Sequence, residues 1–305
     1  MNILEINDLH KRFGSVQVLN GLNMVVPEHS VFGFVGKNGA GKTTTMKIVL
    51  GLLKADSGTV RVCGEKVVYG DTTTNRYIGY LPDVPEFYGY MRPLEYLQLC
   101  GEITGLPRRK IKERSEELLN LVGLQGVNRR ISGFSRGMKQ RLGIAQALLN
   151  EPQLLICDEP TSALDPLGRK QILDILAAIK GKTTVIFSTH ILSDVERICD
   201  YVAVLDQGKL ALTGTLADVQ KQHRRNGFVI KFADPHQAAE FATIEQLQHP
   251  SIKLTREEST LTIMIEDQAI NGHILIDFLA RKQIIPEKFE AMEPTLENLF
   301  AEVVQ

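Results

Sequence analysis

Gly36, Gly41, Lys42 and Thr43 fall at the spacing G-x-x-x-x-G-K-[ST] within VGKNGAGKTT. This is the spacing of a phosphate-gripping loop. Phosphate oxygens need several short hydrogen-bond donors converging on one point. Glycine lets the backbone turn through positive φ and come close without a Cβ in the way. Successive N–H groups, here from Gly36, Lys37, Asn38, Gly39, Ala40 and on to Thr44, can then form a concave anion nest. A helix starting at the loop adds the positive end of its dipole. Lys42 becomes the cation for the outer phosphates of a nucleoside triphosphate, and the Thr43 hydroxyl a ligand for Mg²⁺. The plainer alternative is a turn with a solubilising lysine. The apolar run before the loop, Val31 to Val35, and the amphipathic run after it, Thr43 to Leu53, argue against that.

Such a loop needs acidic partners. LLICDEP, residues 154–160, is an apolar strand ending in two carboxylates. Asp158 at the strand tip suits Mg²⁺ binding opposite Thr43. Glu159, one residue on, is placed to polarise a water against the γ-phosphate. His190 follows the strand TVIFS and can donate a hydrogen bond to the same phosphate. A lone histidine is more often structural, and two acids at a strand exit are often merely solvated. Their company with the loop favours the chemical reading.

Elements of the right kind surround these residues. Short strands are expected over 3–8 and 22–26, split by the turn-rich segment Lys11–Ser15, and again over 31–35, 58–62 and 76–81. Helical periodicity runs through 93–122, broken at Gly105-Leu106-Pro107, and through 136–150. From 154 the order is strand, helix, strand, helix, which implies a largely parallel sheet with helices on both faces. The basic run KQHRRNG, residues 221–227, is a domain boundary. Beyond it come a strand (228–232), helix (235–242), strands (251–256, 260–265), helix (268–281), strand (284–289) and helix (295–303). That order is a split βαββαβ, or ferredoxin-like, unit. Its histidines, His223, His236, His249 and His273, are scattered, and no catalytic cluster is visible.

Composition narrows the class. The chain has 305 residues, 43% apolar and 23% charged, with a formal net charge of −1. A near-neutral chain offers no global field for nucleic acid, so none is expected as a partner. No apolar run approaches the 18 or so residues of a membrane span, and MNILEINDLH lacks the pattern of a signal peptide. A cytoplasmic protein is the expectation. The four cysteines match no zinc spacing and read as small core residues.

Taken together, most of residues 1–220 resemble the ATPase subunits of ATP-binding cassette (ABC) transporters, and the nucleotide-binding domain is expected over 1–222. GKNGAGKTT resembles the Walker A motif and LLICDEP the Walker B motif with its general-base glutamate. SALD, residues 162–165, resembles the D-loop, and His190 falls at the switch histidine. FSRGMKQRLGIAQALL, residues 134–149, resembles the family signature and its helix. The resemblance implies an α/β P-loop cassette with a mostly parallel core sheet, an antiparallel β subdomain and a helical subdomain over about 84–150. It implies ATP and Mg²⁺ as cofactors and head-to-tail dimerisation with a second copy. Each ATP would lie between one Walker A and the other copy's Ser135, Arg136, Gly137 and Met138, with Asp165 near the partner. It also implies ATP hydrolysis that powers a separate membrane permease, with this subunit peripheral on the inner face of the cell membrane.

Three positions depart from the family pattern. The signature usually reads LSGGQ, and here Arg136 replaces a glycine; it adds a positive contact or faces solvent. Phe13 stands where a tyrosine usually stacks on adenine. Asp83 stands where a glutamine is expected; it can still ligate Mg²⁺. Acidic replacement there, a small extra domain over 226–305 and the tail MEPTLENLFAEVV are similar to a bacterial drug and antibiotic exporter subgroup. The expected permease-docking segment is Val84–Leu97, with Tyr88, Tyr90 and Met91; the alternative is that these residues close the helical subdomain's core. The competing functions are a soluble ABC ATPase acting on ribosomes or DNA, and a nucleotide-binding regulator without turnover.

Overall fold

The computed structural model describes residues 1–222, 226–244, 247, 249, 252–265, 272–291 and 296–303. They form two compact units, Met1–Ala217 together with Phe300–Gln305, and Asp218–Leu299. The expected boundary at 221–227 lies a few residues further on, and its residues 223–225 fall outside the described set.

The first unit opens with a hairpin, β1 (Asn2–Phe13) and β2 (Val16–Pro27). The strands are longer than the sequence suggested, and the turn is only Gly14 and Ser15. Register shifts between Ile6 and Leu9 and between Lys11 and Arg12 explain why. Each bulge resets the period-two alternation on which strand recognition rests. With β4 (Ser57–Val62) and β5 (Glu65–Lys66) the hairpin makes an antiparallel sheet ordered β2-β1-β4-β5.

Six strands form the central sheet, β3 (Val31–Val35), β6 (Ile78–Leu81), β7 (Leu154–Asp158), β8 (Thr184–Thr189), β9 (Tyr201–Asp206) and β10 (Lys209–Thr215). Their order is β10-β9-β3-β8-β7-β6. All neighbours are parallel except the edge pair β9/β10. Every residue of β3, β7 and β8 is buried, as expected for parallel strands covered on both faces. Residues 73–77, expected in part as strand, are a 3₁₀ turn leading into β6.

Helix α1 (Lys42–Val49) follows the loop after β3. Helices α2 (Pro93–Ile103), α3 (Arg108–Leu121) and α4 (Arg136–Leu148) form the helical part. The break at 104–107 separates the first two, and Leu97, Ile111, Leu118, Leu142 and Leu148 are buried on the three helices. Helices α5 (Pro166–Ala178) and α6 (Leu192–Ile198) are the crossovers from β7 to β8 and from β8 to β9, and α7 (Leu216–Gln222) follows β10.

In the second unit β11 (Asn226–Lys231), α8 (Pro235–Ala242), β12 (Ile252–Glu257), β13 (Thr260–Ile265), α9 (Gly272–Arg281) and β14 (Lys288–Ala291) follow in order, then α10 (Leu296–Val303). The sheet is antiparallel and ordered β12-β13-β11-β14, the order of a ferredoxin-like unit. The last strand lies at 288–291 rather than the expected 284–289. Ile284 and Ile285 mimic a strand, but Pro286 has no N–H to give a ladder. Residues 268–271 and 295 of the two expected helices lie outside the described residues. No described helix is long and apolar enough to cross a membrane.

Candidate functional site

The parallel strands deliver the chemistry. Residues following β3, β6, β7 and β8 gather at one edge of the central sheet, as the crossover topology requires. They surround a cavity of about 580 Å³ lined by Phe13, Val18, Asn38, Gly39, Gly41, Lys42, Thr43, Thr44, Asp83, Glu159, Ser162 and His190. Gly36, Lys37 and Ala40 belong to the same loop without lining that cavity.

The loop is sterically specified. Gly41 has φ +113°, and a Cβ there would meet Leu19 Cδ2 at 2.9 Å. At Gly36 a Cβ would meet the backbone oxygen of Leu205 at 2.7 Å. Helix α1 has no side-chain cap and no acid in its first turn. Its leading N–H groups are therefore left to an anion.

Lys42 is buried, with Nζ donating to Gly36 O at 2.6 Å and Lys37 O at 3.3 Å. It also pairs with Glu159 Oε1 at 3.3 Å. The other Glu159 oxygen, Oε2, is 2.9 Å from His190 Nδ1. One carboxylate thus bridges the lysine and the histidine at the cavity wall. Glu159 itself sits at φ +48°, in the left-handed region that is uncommon for a residue with a Cβ. The following turn is closed by Ser162 N–H donating to Glu159 O at 3.0 Å.

Behind this wall Thr43 Oγ1 donates to Asp158 Oδ2 at 2.7 Å, and Ser188 Oγ donates to Asp158 Oδ1 at 2.7 Å. Ser188 Oγ also accepts the N–H of Glu159 at 3.0 Å. Hydroxyl and carboxylate oxygens are the hard donors that Mg²⁺ takes, usually one or two protein ligands with waters and phosphate making up the rest. The described residues offer no cluster of three or more acids, histidines or cysteines. A Thr43–Asp158 pair completed by phosphate oxygens fits the cation; bound there it would neutralise phosphate charge.

Phe13 lies on the cavity wall, 48% exposed, with Lys11 Nζ 5.1 Å from its ring centroid. Asp83 also lines the cavity, but its carboxylate is engaged. Arg136 Nη2 donates to Asp83 Oδ1 at 3.0 Å. The arginine that replaces the signature glycine is therefore neither idle nor simply solvated. Burial pushes the Asp83 carboxyl's pKa up, Arg136 pulls against that, and the charges of Asp158 and Glu159 push it up further.

Other expected site residues lie apart from the phosphate cavity wall. Ser135 caps α4 by accepting the N–H of Met138 at 3.3 Å, and Gly137 and Met138 belong to that helix's first turn. Asp165 caps α5 by accepting the N–H of Gly168 at 3.1 Å. Sequence reasoning missed Val18 and Ser188, and it placed Ser162 in the D-loop motif without setting it at this cavity. Ser188 was within reach, since it sits two residues before His190 on a strand expected beside that of Asp158.

A second cavity of about 480 Å³ lies beyond β6. Its lining includes Asp83, Val84, Glu86, Phe87, Arg136 and Lys139. Close by, Tyr88 is 54% and Tyr90 70% exposed, their rings 5.9 Å apart, while Met91 is half-buried. Tyr96 is buried against Phe87 at 5.1 Å. The tyrosines at 88 and 90 are thus surface rather than core.

Comparison with known proteins agrees with this geometry. Residues 19–162 match the ABC transporter family, and residues 214–304 match the C-terminal domain described as ATP-binding protein DrrA1-3-like. The chain is 36% identical over 303 residues to the uncharacterized ABC transporter ATP-binding protein YxlF of Bacillus subtilis, covering 99% of each chain. It is 33% identical over 305 residues to the bacitracin transport ATP-binding protein BcrA of Enterococcus faecalis, covering 99% of this chain and 96% of the relative. It is 39% identical over 226 residues to BcrA of Bacillus licheniformis, covering 73% of each. The structure of an ATP-binding subunit of an ABC transporter matches with TM-score 0.64 and 35% identity, over 72% of this chain and 92% of that one. Another, cbiO1 from Clostridium perfringens, part of the complex cbiONQ, matches with TM-score 0.67 and 28% identity, over 72% and 90%. This chain belongs to the ATP-binding subunits of ABC transporters, which are transport ATPases.

Proposed function

We propose that this subunit works as a pair of identical chains bound to a separate permease, and that the transported direction is outward. The observation that carries the pairing is the division of the site. Lys42, Thr43, Glu159 and His190 face one cavity, whereas Ser135 and Gly137 head a separate helix and are absent from its lining. A triphosphate held by the first group needs the second group from another copy. In this reading Lys42 and the N–H groups of residues 36–44 hold the phosphates, and Phe13 stacks on adenine. Thr43 and Asp158 hold Mg²⁺, with Asp83 a further candidate ligand. Glu159 takes a proton from the attacking water and His190 donates to the γ-phosphate. The Lys42–Glu159 contact must loosen as the phosphates arrive, because Lys42 then turns to them.

Ser135, Arg136, Gly137 and Met138 would face the second copy's nucleotide, with Asp165 beside the dimer axis. Residues 1–222 are assigned to the ATPase and 226–305 to an accessory domain. Export is supported by the bacitracin transport relatives, and a separate permease by cbiO1 being one part of a named complex. The subunit would then sit on the inner face of the membrane through its permease. Val84, Tyr88 and Tyr90 offer exposed apolar surface for that contact. Polar substitution at Tyr88 and Met91 is expected to release the permease on co-purification; retention in both variants would remove this surface from consideration.

The test of the shared site is Glu159→Gln in the full chain. Hydrolysis should fall at least about 100-fold, the typical contribution of a general base. ATP binding should survive, and ATP should convert the variant to a stable dimer on sedimentation. Persistent turnover would remove Glu159 as the base, and a monomer under saturating ATP would sink the shared site.

A further inference from the structure

Two of the three positions that depart from the family pattern, Asp83 and Arg136, meet each other across 53 residues of sequence. They are joined twice. The side chains form an ion pair at 3.0 Å, 46% exposed at Asp83 and 40% at Arg136. One turn further along α4, the buried Gln140 donates from Nε2 to the backbone oxygen of Asp83 at 2.5 Å. The second tie is neutral and shielded. The first is ionic and open to solvent, so it can exchange partners at little cost.

Asp83 is also the residue common to both cavity linings. It faces the phosphate cavity with Lys42, Glu159 and His190, and the groove beyond β6 with Val84, Phe87 and Lys139. Whatever holds its side chain therefore bears on both.

We propose that the Asp83–Arg136 pair is an exchangeable latch. Arg136 holds Asp83 against α4 until the terminal phosphate of a nucleotide seated on a second copy takes the guanidinium. The freed Asp83 segment then passes that event to the groove at 84–89. This rests on the shared-site reading above.

The physical case has three parts. A guanidinium binds a phosphate through parallel donors and with more charge than a single carboxylate offers, so the exchange runs towards phosphate. Arg136 is the first residue of α4 beside Ser135, so it lies with the groups assigned to that phosphate. Once Arg136 leaves, the Asp83 side chain has lost its tie to α4 and only the backbone bond from Gln140 still holds the segment there. Arg136 is thus a positioning residue in the free chain and a phosphate contact in the pair.

The test uses the full chain in the Glu159→Gln background, with Asp83→Asn, Arg136→Gln and the double variant. The ATP concentration for half-maximal dimer is read by sedimentation, and amide hydrogen exchange over 84–91 is read with and without ATP. Asp83→Asn should lower the half-maximal ATP about two- to fivefold, the range for releasing an exposed pair. Arg136→Gln should raise it about tenfold, as expected for loss of a charged hydrogen bond. The double variant should match Arg136→Gln alone. ATP should speed exchange over 84–91 in the parent but not in Arg136→Gln. Equal effects of Asp83→Asn with and without Arg136 would overturn the latch. A rise in required ATP with Asp83→Asn would overturn it in favour of a cation-binding role for that carboxylate. Failure of the Glu159→Gln parent to associate overturns the shared site and the exchange together. In that case, nucleotide-free exchange over 84–91 still decides the pair: single variants that change nothing there would remove it as well.

Discussion

Two of the three described sheets, the central sheet and that of the second unit, treat their strand ends differently. In the central sheet β3, β6, β7 and β8 run parallel, so their C-terminal ends share one edge. Gly36, Asp83, Asp158 and His190 lie at or just beyond those ends, although 154 positions of sequence separate the first from the last. In the second unit every neighbouring pair is antiparallel. Successive strand ends then alternate between edges, and no edge collects the polar residues of several strands. That sheet instead spends its alternation on a core, with Ile230, Leu261, Ile263 and Ile265 turned towards Phe232 and Phe241. A parallel sheet concentrates chemistry; an antiparallel sheet of this size builds a scaffold.

The largest effect that would sharpen this contrast is at Lys42. Lys42→Ala removes a buried cation and leaves Glu159 without its 3.3 Å partner. ATP hydrolysis should fall by about 10²–10³, and ATP affinity by roughly 10-fold or more. Phosphate release and a fluorescent-nucleotide titration read the two. Near-normal affinity would mean the backbone nest alone grips the triphosphate.

Next comes the scaffold. Phe241 is fully buried, its ring centroid 5.3 Å from that of Phe232 and 5.4 Å from that of Phe278. Phe241→Ala should destabilise the second unit by about 3–5 kcal/mol, seen as faster hydrogen exchange over 226–291. ATP affinity should stay within about twofold, because none of the phosphate cavity's lining residues comes from that unit. A large loss of affinity would break the division between the units.

The smallest effect is at Asp165. Removing its cap by Asp165→Ala should cost about 1 kcal/mol, a shift of a few degrees in Tm. An effect on ATP-driven dimerisation much larger than that would give Asp165 a role facing a second copy, beyond capping α5.

Much of the fold was legible because its signals are local. The uninterrupted apolar runs of β3, β7 and β8 mark strands buried on both faces. Gly105 and Pro107 mark the gap between α2 and α3. Where local signals conflicted the reading slipped. Bulges hid the full length of β1 and β2, and the Ile284-Ile285 pair drew the last strand too early. The second unit's order was readable, since each element carries its own period.

By itself the sequence determined the phosphate loop. Its glycine positions, lysine and threonine lie within eight residues, and short-range backbone geometry dictates what they can do. It also determined the family, through motifs that are each contiguous. Only the tertiary structure decided what lies between motifs. No periodicity connects Glu159 to both Lys42 and His190, or Ser188 to Asp158, because those contacts arise from strands made adjacent by crossovers. Nor could spacing reveal that two of the departing residues, Asp83 and Arg136, neutralise each other. Read singly, each was a departure from a pattern. Opposite charges brought to 3.0 Å make them one feature, and that distance is set by how β6 and α4 pack, not by either segment alone.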